Sequence, residues 1–163
     1  MKINHLALKA IYLHEMDRFR RTLTQSLLSP VLTTSLYFIV FGSVIGGYVE
    51  KIDGISYGSY IVPGLLMLTL LTQSISNTSF GIFFPKFNGT IYEILAAPIS
   101  TFEVVLAFVG AGATKTLIVS IVIFITSLFF VDVQVKYPLL MIFLLILVAF
   151  TFALFGFLIG LMS

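Results

Sequence analysis

The chain contains no cysteine, which excludes disulfides, thiolate metal sites and a lipidated cysteine of the bacterial lipoprotein kind. Its two histidines, His5 and His14, stand near the N-terminus without carboxylate-rich surroundings, so the sequence predicts no metal site and no cofactor held by this chain. Charge is also scarce. Of 163 residues only 10% are Asp, Glu, Lys or Arg while 59% are hydrophobic, against about 25% charged in an ordinary soluble domain. Nine basic and seven acidic side chains cannot cover a soluble globule of this size, so most of the chain is solvated by lipid. The net charge of +2 is too small for a nucleic-acid binder.

What the chain does have is long charge-poor runs. A spanning helix needs roughly 20 apolar residues to cross about 30 Å of hydrocarbon. On that measure the sequence predicts an all-α fold, a polytopic transmembrane bundle with spans at residues 30–49, 63–84, 112–131 and 138–160 in a single domain over 1–163. Ser29-Pro30 supplies an N-cap and a first-turn proline for the first span. Pro63-Gly64 and Pro85 punctuate the second, and Pro138 opens the fourth. A cleavable signal peptide does not fit, because roughly 28 residues including Glu15, Asp17 and three arginines precede the first apolar run. The runs are continuous rather than alternating, which disfavours barrel strands.

The N-terminal segment carries Lys2, Lys9, Arg18, Arg20 and Arg21, whereas the first and third inter-helix loops carry only Lys51 and Lys136. Basic residues are held back in the cytoplasm, so the N-terminus is expected there, together with the loop at 86–103. Residues 4–28 mix apolar Leu6, Ile11, Leu13, Met16, Phe19, Leu23 and Leu27 with the charges, and read either as an amphipathic helix in the cytoplasmic interface or as a plain topology signal.

The cytoplasmic loop is the most informative segment. Thr90 followed by Glu93 has the spacing of a capping box, and Pro98 should stop the helix by Ala97, giving about two turns over 91–97. Ser100 with Glu103 forms a second capping box that restarts the chain. A helix this short is barely stable alone and is expected to dock on something. In the second span Thr69, Thr72, Gln73, Ser76, Asn77 and Ser79 form a polar series, which serves either helix packing or a water-accessible path. Gly42 with Gly46, and Gly156 with Gly160, are small-xxx-small pairs for close helix contact. Lys115 is expected to snorkel to the cytoplasmic interface. The run Gly110-Ala-Gly-Ala-Thr-Lys-Thr116 lacks the glycine spacing and preceding strand of a phosphate loop, and no Ser/His/Asp or carboxylate constellation marks an enzyme.

Tyr60-Ile-Val-Pro-Gly-Leu65 and, above all, Asn88-Gly-Thr-Ile-Tyr-Glu-Ile-Leu-Ala-Ala-Pro-Ile-Ser-Thr-Phe-Glu103 resemble the type-2 ATP-binding-cassette (ABC) transport permeases, and the order of elements agrees from the N-terminal helix onward. The resemblance implies a permease subunit of an exporter in the bacterial inner membrane, moving a drug, lipid or polysaccharide. Its partners would be two copies of a separate ABC ATPase that uses the ATP, and a second permease subunit, most simply a homodimer. The loop would be the coupling helix, with Thr90, Ile91, Tyr92, Glu93, Ile94, Leu95, Pro98 and Glu103 as ATPase-coupling residues, and Ile91, Tyr92, Ile94 and Leu95 filling the ATPase groove. If the polar series of the second span serves a path rather than packing, Thr69, Thr72, Gln73, Ser76 and Asn77 are the candidate substrate-path residues. Members of this family have six crossings, so the chain is expected to be a fragment truncated after the fourth. A pore-forming oligomer, or a membrane scaffold that recruits a soluble partner, are the rival classes.

Overall fold

A computed structural model describes residues 4–41, 44, 48, 51–52 and 54–163, without the side chains of 51–52. Gly42 and Gly46 lie outside the described residues. Six helices account for nearly all of the described structure: α1 (His5–Arg21), α2 (Leu23–Val40), α3 (Tyr57–Phe87), α4 (Ile91–Ala96), α5 (Thr101–Phe130) and α6 (Pro138–Met162). A two-rung antiparallel ribbon, β1 (Lys51–Ile52) and β2 (Ile55–Ser56), leads into α3, with Gly54 at φ +81° in its turn. Helices α2, α3, α5 and α6 are each long and apolar enough to cross a membrane, so the fold is an all-α membrane bundle.

The chain breaks between α1 and α2 at Thr22, not at Ser29-Pro30. The Thr22 N–H and hydroxyl both turn back onto the carbonyls of Arg18 and Phe19, and Arg18, Arg20 and Arg21 place positive charge at the negative end of α1. Pro30 is therefore buried inside α2, and Pro63 and Pro85 likewise lie inside α3, which starts at Tyr57. Proline punctuates a helix by local rules, but within a bundle in lipid neighbouring helices re-satisfy the freed backbone groups and the helix continues through it. The start of α3 is set instead by Ser56, whose hydroxyl accepts the Ser59 N–H at 3.3 Å. Helix α5 is longer than its apolar stretch, because it begins at the Ser100 capping box and runs unbroken to Phe130.

Helix α5 is the centre of the bundle and packs against α1, α2, α3 and α6. One core cluster joins α3, α5 and α6 through Leu70, Ile82, Phe108, Val109, Ala153 and Phe157, with the Phe108 and Phe157 rings 6.3 Å apart. A second joins α1 and α2 to α3 and α5 through Phe19, Phe38, Val62, Leu66, Val119 and Ile123. Helix α6 meets α3 along a face of small residues, Ala149, Ala153, Gly156 and Gly160. A Cβ on Gly156 would stand 2.5 Å from the Ile75 carbonyl oxygen, and one on Gly160 2.6 Å from that of Ser79, so both glycines are required by the closeness of the two backbones.

Candidate functional site

Helix α4 and its two flanks form the first part of the site. Gly89, at φ +77°, turns the chain out of α3, a conformation that glycine adopts without the Cβ penalty. Thr90 then stands in helical conformation (φ −63°, ψ −19°) and its side chain makes no cap, so the Thr90–Glu93 capping box expected from the spacing does not form. The reason is geometric: an N-cap side chain reaches the first-turn N–H groups from an extended backbone, which Thr90 lacks. Ala97 is extended (ψ 149°), as the residue before Pro98 prefers, and this ends α4 at Ala96.

The side chains of α4 divide between two faces. Ile91 and Ile94 are half-buried against the α3–α5–α6 core, as is Ile99. Tyr92 (73% exposed) and Leu95 (67%) point away from it, with Glu93 and Pro98 also exposed. Phe87 at the end of α3 (77%) and Phe102 at the start of α5 (66%), on either side of α4 in the chain, are exposed as well. The sequence reading missed both phenylalanines. The signal was present, since each lies within one turn of the capping residues that end the loop, but an aromatic at a span's edge looks like a lipid-facing residue until the neighbouring helix is placed.

Glu103 is buried beneath this surface. Its Oε2 accepts the Ser100 N–H at 2.9 Å while the Ser100 hydroxyl accepts the Glu103 N–H, completing the capping box. Its Oε1 accepts the Asn4 N–H at 2.6 Å. Asn4 is itself the N-cap of α1, its side-chain oxygen accepting the Ala7 N–H. The α4–α5 connection and the start of α1 are thus held by one carboxylate.

From there α1 runs alongside α5 in the same direction. The Tyr12 hydroxyl donates to Thr114 Oγ1 at 3.0 Å, and Lys115 Nζ donates to Glu15 Oε2 at 2.7 Å, with Arg18 Nη2 at 3.2 Å from the same oxygen. Glu15 and Lys115 are 2% and 4% exposed, and Lys115 does not snorkel to the interface. An opposite charge within hydrogen-bond reach removes the need for water, whereas an unpaired ammonium here would bear a desolvation cost of several kcal/mol. Helix α3 closes the pocket: Gly81 faces Glu15 Oε2 and the Arg18 guanidinium lies 5.9 Å from the Phe84 ring centroid. The amphipathic pattern of 4–28 therefore serves a helix packed on the bundle over its Glu15 and Phe19 face, while Leu6, Leu13 and the basic Lys9, Arg20 and Arg21 stay exposed.

The polar series of α3 is split by its helix. Thr69, Thr72 and Gln73 line a groove of about 280 Å³ against Ser29, Thr33 and Tyr37 of α2. The Thr69 and Thr72 hydroxyls donate to the carbonyls of Leu65 and Leu68 in their own helix, leaving lone pairs toward the groove. Asn77 is half-buried with its amide 3.4 Å from Gln73 Oε1, and Ser76 is exposed. The buried polar residues of the same helix are Ser74, which donates to the Ala149 carbonyl at 2.7 Å, and Thr78, whose hydroxyl has no partner among the described residues. At the opposite end of the spans, β2, the start of α3 and the α5–α6 connection border an open cleft of about 1260 Å³, where the Ser59 hydroxyl donates to the Asp132 carbonyl.

These features define a polytopic membrane protein in which a short amphipathic helix, outside the apolar spans, joins two of them and exposes an aromatic surface. A family model described as "ABC-2 type transporter" matches residues 7–163, and the chain belongs to that family. It is 39% identical over 160 residues to the inner membrane transport permease YadH of Escherichia coli strain K12, the match covering 98% of this chain and 62% of that protein. The same figures hold for YadH of Escherichia coli O157:H7 and of Shigella flexneri. The chain therefore spans somewhat less than two thirds of the length of these curated relatives. No solved structure matches it.

Proposed function

We propose that the chain is the membrane-spanning part of a permease subunit of an ABC exporter in the bacterial cytoplasmic membrane, moving a drug, lipid or polysaccharide with energy from ATP hydrolysed on a separate ATPase subunit. The observation that carries this is the surface of α4. A six-residue helix with Tyr92 and Leu95 exposed, flanked by exposed Phe87 and Phe102, is an apolar patch at the mouth of two spanning helices. Such a patch marks a contact with another protein.

The distribution of charge supports a cytoplasmic position for it. Lys9, Arg18, Arg20, Arg21 and Lys86 belong to the end of the bundle that carries α1 and α4, against Lys51 and Lys136 at the other. In this reading two ATPase copies close on ATP, and α4, seated on one of them, passes the movement to α3 and α5. A path then opens between two permease subunits, with Thr69, Thr72 and Gln73 in the α2–α3 groove, and Ser76 and Asn77 beside it, offering hydrogen bonds to the cargo. Tyr92 and Leu95 fill the partner's groove together with Phe87 and Phe102, Glu93 meets a basic residue of the ATPase, and Ile91 and Ile94 hold α4 on the bundle.

The test is a pull-down of the detergent-solubilised permease with its cognate ABC ATPase, wild type beside Tyr92→Ser/Leu95→Ser. Loss of binding in the variant supports the docking role of α4. Equal binding by both proteins would remove it, and ion conductance by the permease without any ATPase would favour a pore.

A further inference from the structure

We infer that Glu15 and Lys115 are positioning residues whose buried ion pair joins α1 and α5 into one rigid unit, so that α1 carries the movement of α4 into the bundle; this rests on the permease reading above.

Three observations lead there. First, α1 is tied to α5 at both ends of their shared run, by Asn4 to Glu103 beside the α4 loop and by Glu15 to Lys115 deeper in the bundle. Lys115 lies about 18 Å along α5 from Glu103 at 1.5 Å per residue. Two ties that far apart fix direction as well as position, and the Tyr12–Thr114 hydrogen bond between them fixes the rotation.

Second, the pair is costly for a helix that only has to rest on the interface. Both side chains are almost fully buried, and an apolar pair of similar size would pack the same two helices without desolvating two charges. What the ions add is specificity. Glu15 Oε2 takes both the Lys115 ammonium and the Arg18 guanidinium, and Arg18 in turn lies over Phe84 of α3. Only one rotation and one height of α1 satisfy those contacts together.

Third, the loop that would receive the partner's push has a direct route into this unit. The Glu103 carboxylate binds the N–H groups of Ser100 and Asn4 at once, so a shift of the α4–α5 connection moves the start of α1 with it. Without the ion pair only the Tyr12–Thr114 hydrogen bond and the Phe19 packing would hold α1 on α5, and part of the displacement would dissipate.

The test uses the full-length permease reconstituted with its cognate ATPase. Spin labels at Leu13→Cys on α1 and Leu106→Cys on α5, both exposed positions in a stretch free of native cysteine, report the spacing of the two helices. The expected distance distribution is narrow in the wild type, broad in Lys115→Met, and narrow again in Lys115→Arg, which keeps a cation opposite Glu15. The neutral pair Glu15→Gln/Lys115→Met, made together with Arg18→Gln so that no charge at the joint is left unpaired, should fold and bind the ATPase as the wild type does. Its permease-dependent ATP hydrolysis should nevertheless fall about tenfold, while Lys115→Arg retains it. A purely structural pair would alter stability without this split between binding and turnover. Narrow distributions and unchanged hydrolysis in both Lys115→Met and the neutral pair would overturn the joint and leave the permease reading intact. A wild type that binds no ATPase would overturn the permease reading instead, and with it the coupling role.

Discussion

The Glu103 carboxylate binds the N–H of Asn4 at 2.6 Å and that of Ser100 at 2.9 Å, so one side chain caps α5 and secures the cap of α1. Glu103 closes the α4 loop segment in sequence, yet its carboxylate is turned inward, whereas Tyr92, Glu93, Leu95 and Phe102 near it face out. Glu103→Ala should therefore act on stability. Loss of a helix cap and of a charge-assisted hydrogen bond amounts to about 2 kcal/mol, read as a lower thermal unfolding midpoint in detergent. Glu93→Ala, at an exposed position, should change stability by less than about 0.5 kcal/mol.

Neighbours on α4 should separate stability from docking. Ile94→Ala removes a half-buried side chain from the core and should lower the unfolding midpoint. Leu95→Ala removes an exposed one and should leave the midpoint alone while weakening ATPase binding about tenfold, a typical cost for a central apolar contact. Binding titrations beside thermal melts of the two variants distinguish them.

Gly156→Leu should force α6 away from α3, because even a Cβ there lies 2.5 Å from the Ile75 carbonyl oxygen. Overpacking of this kind costs about 1–3 kcal/mol. A cysteine cross-link between the two helices, efficient in the parent, should form poorly in the variant.

Two hydroxyls one turn apart on α3 should respond in opposite ways. Ser74 donates to the Ala149 carbonyl across the α3–α6 contact, and Ser74→Ala should cost about 0.6–1 kcal/mol. Thr78 is buried without a hydrogen bond, and Thr78→Val, which keeps the shape, should be neutral or stabilising. Denaturation in mixed detergent would show the difference in sign.

The spans were legible because hydrocarbon imposes a length and makes charge costly, and the runs in α3, α5 and α6 are long and charge-poor, with Lys115 of α5 paired to Glu15. The Ser100–Glu103 capping box was legible because its chemistry is local. The three prolines misled because their effect on a helix depends on what packs beside it, which the local pattern does not contain. Lys115 misled for a related reason. Its partner is on α1, and no periodicity within α5 points to Glu15. Likewise the outward face of α4 follows from the core that Ile91 and Ile94 meet, not from the six residues of the helix.

Glu15 and Lys115 are 100 residues apart in sequence. A chain leaves the ribosome N-terminus first, so Glu15 emerges and α2 and α3 are made before its ammonium partner exists. During that interval α1 has only Arg18 to neutralise the carboxylate and no surface on α5 to pack against. Helix α1 consequently gains its seat on α5 only after α2, α3 and α4 have been made, and α6 closes on α3 later still.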